Sequence, residues 1–155
     1  MDLRNNLIKI TSTFFYTGFL PLIPGTFGSL AGLFVYYLVS SNNFIYWLVT
    51  CVLVAIGFLV CGPAERVFGV KDPRFIVIDE VAGMLLSLMF LPYDIKLVII
   101  GFFIFRLMDT LKPFPAGRLQ NLKGSLGVML DDVIAAVYTN IILQAVLKLA
   151  SFRAS

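Results

Sequence analysis

Five long apolar runs constrain this chain more than any other feature. They extend roughly from Phe27 to Val39, Phe44 to Cys61, Ile76 to Leu91, Ile95 to Met108 and Leu126 to Ala150. Each is bounded by Pro, Gly, Asn or clustered charge, the residues that punctuate secondary structure. Hydrophobic residues make up 59% of the sequence and charged ones only 14%, against about a quarter in an ordinary soluble domain. With a mean hydropathy of +0.94, the expected solvent is lipid. Several runs fall short of the ~20 residues a helix needs to cross a bilayer, so the spans are expected to be short or partly sunk.

Ahead of the runs, residues 3–19 mix Leu7, Ile8, Ile10, Phe14 and Phe15 with Arg4, Asn5, Asn6 and Lys9, the pattern of an amphipathic helix lying in the membrane interface. A signal-peptide reading of this segment is set aside, because Pro21 and Pro24 interrupt its would-be apolar stretch. The 155 residues suit one domain, 1–155, with an interfacial helix over 1–19 and a helical core over 20–150. No internal repeat, low-complexity tract or linker divides it. The connections at Gly62 to Phe75 and Thr110 to Ser125 are the loops with room for chemistry.

Threading each run once across a bilayer sorts the charges. Arg4, Lys9, Arg66, Lys71, Arg74, Arg106, Lys112, Arg118 and Lys123 fall on one side, and Lys96, Lys148 and Arg153 on the other. The positive-inside rule turns the first side to the cytoplasm. Six carboxylates gather at that same face: Asp72 in a loop, Asp79 and Glu80 opening the third run, Asp109 closing the fourth, Asp131 and Asp132 opening the fifth. Ionisable groups in or beside a span cost a few kcal/mol unless they pair, bind an ion or line a wet cavity. Arg106 and Lys112 lie three residues either side of Asp109, within reach on one helical face. Simple pairing or helix capping accounts for any one of these acids, but it would scatter acids over both faces.

Hard oxygen ligands beside Arg and Lys are what a magnesium-assisted phosphoryl reaction requires. Gly25, Thr26, Gly28 and Ser29 follow a proline turn at a helix start, where backbone N–H groups hold anions, although such small residues also serve close helix packing. The net charge of +3 suits a membrane surface or a phosphorylated substrate, and the bases are too scattered for a nucleic-acid stripe. The chain contains no histidine, which excludes histidine nucleophiles and histidine general bases. Cys51 and Cys61 lack zinc or redox spacing, CGPAER is one residue short of a cysteine-phosphatase loop, and no P-loop is present. A small ion or substrate carrier is the rival class, but it predicts acids near the midplane on broken helices. A purely structural subunit is a third.

Four blocks, PLIPGTFGS, KDPRFIVIDEVAGM, FRLMDTLKPFP and GSLGVMLDDVIAA, resemble in order the conserved blocks of the phosphatidylglycerophosphatase A family, over about Gly18 to Ala136. The resemblance implies an all-α, membrane-associated bundle of about five hydrophobic helices plus the amphipathic one. It further implies a Mg²⁺-dependent enzyme of the bacterial inner membrane that hydrolyses phosphatidylglycerophosphate to phosphatidylglycerol and inorganic phosphate. On that basis Asp79, Glu80, Asp109, Asp131 and Asp132 are the expected metal shells, with Asp79, Asp109 and Asp132 first among them, and any other acid is open as the base. Arg106 and Lys112 are expected on the phosphate, Gly25, Thr26 and Ser29 as further donors, and Lys71 and Asp72 closing the site. Gly83 should let a neighbouring helix approach. Two departures from the family pattern stand out: Gly124-Ser125 where Gly-Gly is usual, and Ala136 where Gly is common. The D-G-x-x-A-R type of signature expected for phosphatidyl transfer is absent.

Overall fold

A computed structural model describes residues 3–154; Met1, Asp2 and Ser155, the ends of the expected domain, lie outside the described residues, as does the side chain of Arg153. The described residues form helices and turns with no strand. The five apolar runs become α2 (Pro24–Val39), α3 (Asn43–Phe68), α4 (Ile78–Ser87), α5 (Ile95–Leu111) and α7 (Ser125–Ala154). The remaining elements are α1 (Leu3–Ser12), a 3-10 turn (Thr17–Phe19) and the short α6 (Ala116–Leu119).

The helix boundaries follow local chemistry. Pro24 opens α2, where its fixed φ suits the first turn and its missing N–H costs nothing. Asn42 caps α3 by accepting from the Phe44 and Ile45 N–H groups, and Asp94 caps α5 by accepting from Lys96. Gly69, at φ +70, ends α3 in the left-handed turn that glycine makes at little cost. The expected loop at Gly62 to Phe75 is therefore shorter: α3 runs on through Pro63 to Phe68, and only about 69–77 is irregular. The expected interfacial helix also stops early, at Ser12. There the Ser12 and Thr13 hydroxyls donate to the Lys9 carbonyl, and Phe14, Phe15 and Tyr16 take positive φ.

At the centre lies α4, packed chiefly against α2 and α7 and also against α3 and α5. Its Val81, Ala82, Met84 and Leu85 are wholly buried. With 10 residues it is about 15 Å long, half a bilayer core, so it is an internal helix and does not cross by itself as the one-run-one-span threading has it. Two helices are long and apolar enough to cross, over Asn43–Phe68 and Ser125–Leu149. Apolar side chains such as Phe34, Tyr37, Leu59 and Phe103 face outward, the pattern of a membrane-associated bundle.

Close approach of α2 to α4 needs glycine. A Cβ on Gly28 would sit 2.8 Å from the Val77 Cβ, and one on Gly32 2.8 Å from the Val81 carbonyl oxygen. At the end of the bundle formed by the C-terminus of α2 and the N-terminus of α3, Tyr36, Tyr46, Trp47, Phe90 and Tyr93 line an aromatic hollow, with the Tyr46 hydroxyl donating to the Leu85 carbonyl at 2.5 Å.

Candidate active site

The N-terminus of α4, the C-terminus of α5 and the second turn of α7 meet at the other end of the bundle. Chain direction explains the meeting: α4 and α7 begin where α5 finishes, so acids at two helix starts and one helix finish reach the same depth. Gly83 makes the approach possible, since a Cβ there would press into the Phe105 ring at 2.7 Å and stand 3.4 Å from the Asp132 carbonyl. The result is a cavity of about 300 Å³ lined by Asp72, Asp79, Glu80, Asp109, Asp131 and Asp132 together with Arg74, Arg106 and Lys112. All six carboxylates singled out in the sequence share it.

The cations are held by the acids. Arg106 Nη1 lies 2.7 Å from Asp109 Oδ2, across the i,i+3 spacing of α5, and 3.5 Å from Ser29 Oγ. Lys112 reaches across to α7 and donates to Asp131 Oδ2. It can do so because Lys112 itself, at φ +45, turns the chain out of α5. Asp72 at φ +46 and Leu22 at φ +79 are further lining residues in the left-handed region, which costs a non-glycine residue of order 1 kcal/mol. Three left-handed non-glycine residues, Leu22, Asp72 and Lys112, thus line the cavity.

The carboxylates are under-partnered. Asp79 Oδ1 accepts the Glu80 N–H at 3.0 Å, but Glu80 Oε2, Asp131 Oδ1 and Asp132 Oδ2 are buried with no hydrogen-bond partner. Oxygens of Asp79, Glu80 and Asp132 lie within 4.8 Å of one another. Loss of hydration, reinforced by Glu80, lifts the Asp79 carboxyl well above its ordinary range. Desolvation, with the charges of Asp132 and Asp109, pushes Glu80 up to about 8 against the opposing pull of Asp79 and Arg106. Asp72 is raised by burial against the attraction of Lys112. Burial works against the charge on Lys112, yet the Asp131 hydrogen bond and the surrounding carboxylates outweigh it and raise its pKa. Such a cluster of mutually repelling acids is stabilised by a divalent cation.

Not every expected residue is in place. Gly25 lines the cavity, but Thr26, Ser29 and Lys71 do not. Ser29 is buried, donates to the Gly25 carbonyl at 3.0 Å and stands behind Arg106; Lys71 points to the Asn121 carbonyl, 3.5 Å away. The Ser125 departure is constructive, since its hydroxyl accepts from the Gly62 N–H at 2.6 Å and ties α7 to α3. Residues the motifs did not single out also contribute. Arg74, Leu22 and Ile23 line the mouth, and Glu65 Oε1 accepts the Asp72 N–H at 2.8 Å, fixing the strained turn.

A family model described as Phosphatidylglycerophosphatase A matches residues 10–147. The chain is 40% identical over 126 residues to the Phosphatidylglycerophosphatase A of Escherichia coli (strain K12), covering 79% of this chain and 73% of that one. It is 32% identical over 145 residues to the Phosphatidylglycerophosphatase A of Haemophilus influenzae, 91% of this chain and 89% of that one. A Bacteroides thetaiotaomicron protein named "Putative phosphatidylinositol-3-phosphatase" is 32% identical over 143 residues, 86% of this chain and 89% of its own length. No solved structure matches the chain. The matched residues include the whole of the carboxylate cavity, and the chain belongs to the phosphatidylglycerophosphatase A family.

Proposed function

We propose that this chain is a Mg²⁺-dependent lipid phosphatase that hydrolyses phosphatidylglycerophosphate to phosphatidylglycerol and inorganic phosphate. The observation that carries the proposal is the single cavity in which six carboxylates, Arg106 and Lys112 converge, in a chain of this family. The enzyme works in a bacterial inner membrane, passing through it more than once, with the cavity on the cytoplasmic side. The two helices long and apolar enough to cross and the basic residues concentrated at the cavity end support this placement.

The donor set fits a hard divalent ion. Asp79, Glu80 and Asp132 present clustered oxygens, and the orphaned oxygens of Glu80, Asp131 and Asp132 have unused acceptor capacity. Magnesium takes one or two carboxylates directly and keeps several waters, so Asp79, Asp109 and Asp132 are assigned to hold it and Glu80 and Asp131 to stand around it. Bound there, the ion would supply Lewis-acid neutralisation of charge on the phosphoryl oxygens.

The side chains perform the rest. Arg106 and Lys112 bind the oxygens of the terminal phosphate and stabilise the charge spread over them in the transition state. Asp109 and Asp131 hold these cations in position, and Ser29 supports the guanidinium from behind. Water attacks phosphorus, the P–O bond to the glycerol carbon chain breaks, a carboxylate of the cluster takes the water proton, and the departing alkoxide is protonated to the hydroxyl of phosphatidylglycerol.

The test is phosphate release from phosphatidylglycerophosphate by the detergent-purified protein, with Mg²⁺ or with chelator, and with Asp109→Asn alongside. Release that needs Mg²⁺ and drops by at least about 10²-fold in the variant supports the proposal. Folded protein that releases no phosphate with any divalent ion overturns it. Phosphatidylinositol 3-phosphate belongs in the same assay because of the name carried by the Bacteroides relative.

A further inference from the structure

The cavity has three cations on its wall, and they are not equivalent. Arg106 and Lys112 are each engaged by a carboxylate. Arg74 lines the same cavity, is exposed, and is the lining cation with no carboxylate in ion-pair reach among the described residues. It sits at the rim and not on the floor.

The loop that carries Arg74 is fixed. Asp72 N–H is held by Glu65, Pro73 is buried, the Pro73 carbonyl accepts the Ile76 N–H at 2.9 Å and the Val77 N–H donates to the Ser12 carbonyl at 3.0 Å. Phe75, the next residue, packs its ring on Phe68 and Phe19 with centroids 4.4 and 5.2 Å away. A Cβ on Gly18 would fall 2.0 Å from the Phe75 carbonyl oxygen, so the segment leading into α2 runs backbone to backbone against this loop. That segment ends in Leu22, 94% exposed, and Ile23, 54% exposed, both lining the same cavity as Arg74.

From the outside inward, the mouth therefore presents an apolar lip, an uncommitted cation, and then the paired cations and carboxylates of the floor. A ligand matching this order has an apolar body, an anionic group, a short spacer and a terminal phosphate. Resting on the function proposed above, we infer that Arg74 is a specificity-determining residue. It binds the internal diester phosphate of the lipid, while Leu22 and Ile23 receive the start of the diacylglycerol and Arg106 and Lys112 take the terminal phosphate. A lipid carrying a single phosphate leaves Arg74 without a partner when that phosphate is on the floor, and so binds less tightly.

The test compares wild type, Arg74→Gln and Arg74→Lys in mixed micelles, measuring kcat and KM for phosphatidylglycerophosphate and the inhibition constant of inorganic phosphate, which probes the floor alone. Arg74→Gln is expected to raise KM about tenfold, the size of one charge-assisted contact at a hydrated rim, without a matching rise in the phosphate inhibition constant. Arg74→Lys, which keeps the charge, should recover most of the loss. An unchanged KM overturns the inference, as does an equal rise in both constants, which would place Arg74 on the reacting phosphate. Wild-type protein inactive on phosphatidylglycerophosphate would instead overturn the underlying function, and the two failures are thereby told apart.

Discussion

Gly25→Ala separates the working geometry of the cavity from its stability. Gly25 is the second residue of α2, and a Cβ there would lie 2.5 Å from Glu80 Oε1 and 3.2 Å from both terminal nitrogens of Arg106. Ordinary contact begins near 3.4 Å, so the carboxylate must retreat by roughly 0.9 Å, about the displacement that costs 10²-fold in rate when it falls on reacting groups. The guanidinium must give by a few tenths more. These atoms are the ends of flexible side chains, so the fold can yield, and alanine is itself up to ~1 kcal/mol better than glycine within a helix. The expected outcome is a fall in kcat/KM of about 10²-fold, or about 2.7 kcal/mol of transition-state stabilisation, with Tm moved by no more than about 4 °C. Phosphate release and thermal unfolding on the same preparation read both numbers. Activity within about threefold of wild type, a difference under 1 kcal/mol, would show that Glu80 and Arg106 do not act from these positions.

Two further outcomes follow from other parts of the fold. Ser125→Ala removes the acceptor of the Gly62 N–H and should cost about 1 kcal/mol, read as a fall in Tm of about 2–4 °C with kcat near wild type; an unchanged Tm would mean the bond contributes nothing. The second concerns pH. Because Glu80 is lifted from 4.5 to about 8, its protonated form is the one the folded state favours, so its contribution is fully present below pH 4.5 and lost as pH rises through about 8. Chelator-treated protein should therefore lose thermal stability across that window, Mg²⁺ should offset the loss, and Glu80→Gln should flatten the curve; equal slopes for wild type and variant would refute the assignment.

Much of the site could be read from the chain because its chemistry is written in charges that an apolar sequence cannot carry idly. Six acids in or near greasy runs had to converge, and they share one cavity. Motif membership did not, however, settle which side chains face it. Thr26 lies in the same motif as Gly25, and Lys71 adjoins Asp72, yet neither lines the wall. Arg74 and Leu22 escaped for a related reason. Their positions depend on left-handed residues at Leu22 and Asp72, which no periodicity announces in a non-glycine residue. The end of α3 was more accessible, since Gly69 is an ordinary helix stop, but Gly62-Pro63 imitated one earlier. The length of α4 was hidden because a fully buried helix and a membrane span are equally apolar.

In the mechanism proposed above, the pairing of Arg106 with Asp109 and of Lys112 with Asp131 makes ligand entry an exchange, not a capture. A phosphate group must compete for cations that already have anionic companions, so part of its attraction offsets the separation of those pairs. Free phosphate and other small anions of the cell then gain little by entering, because they bring no apolar body to the lip. When the ester is cut, the liberated phosphate is likewise reduced to a small anion, and the re-forming pairs favour its departure. The same contacts that position the cations thereby help to clear the site between turnovers.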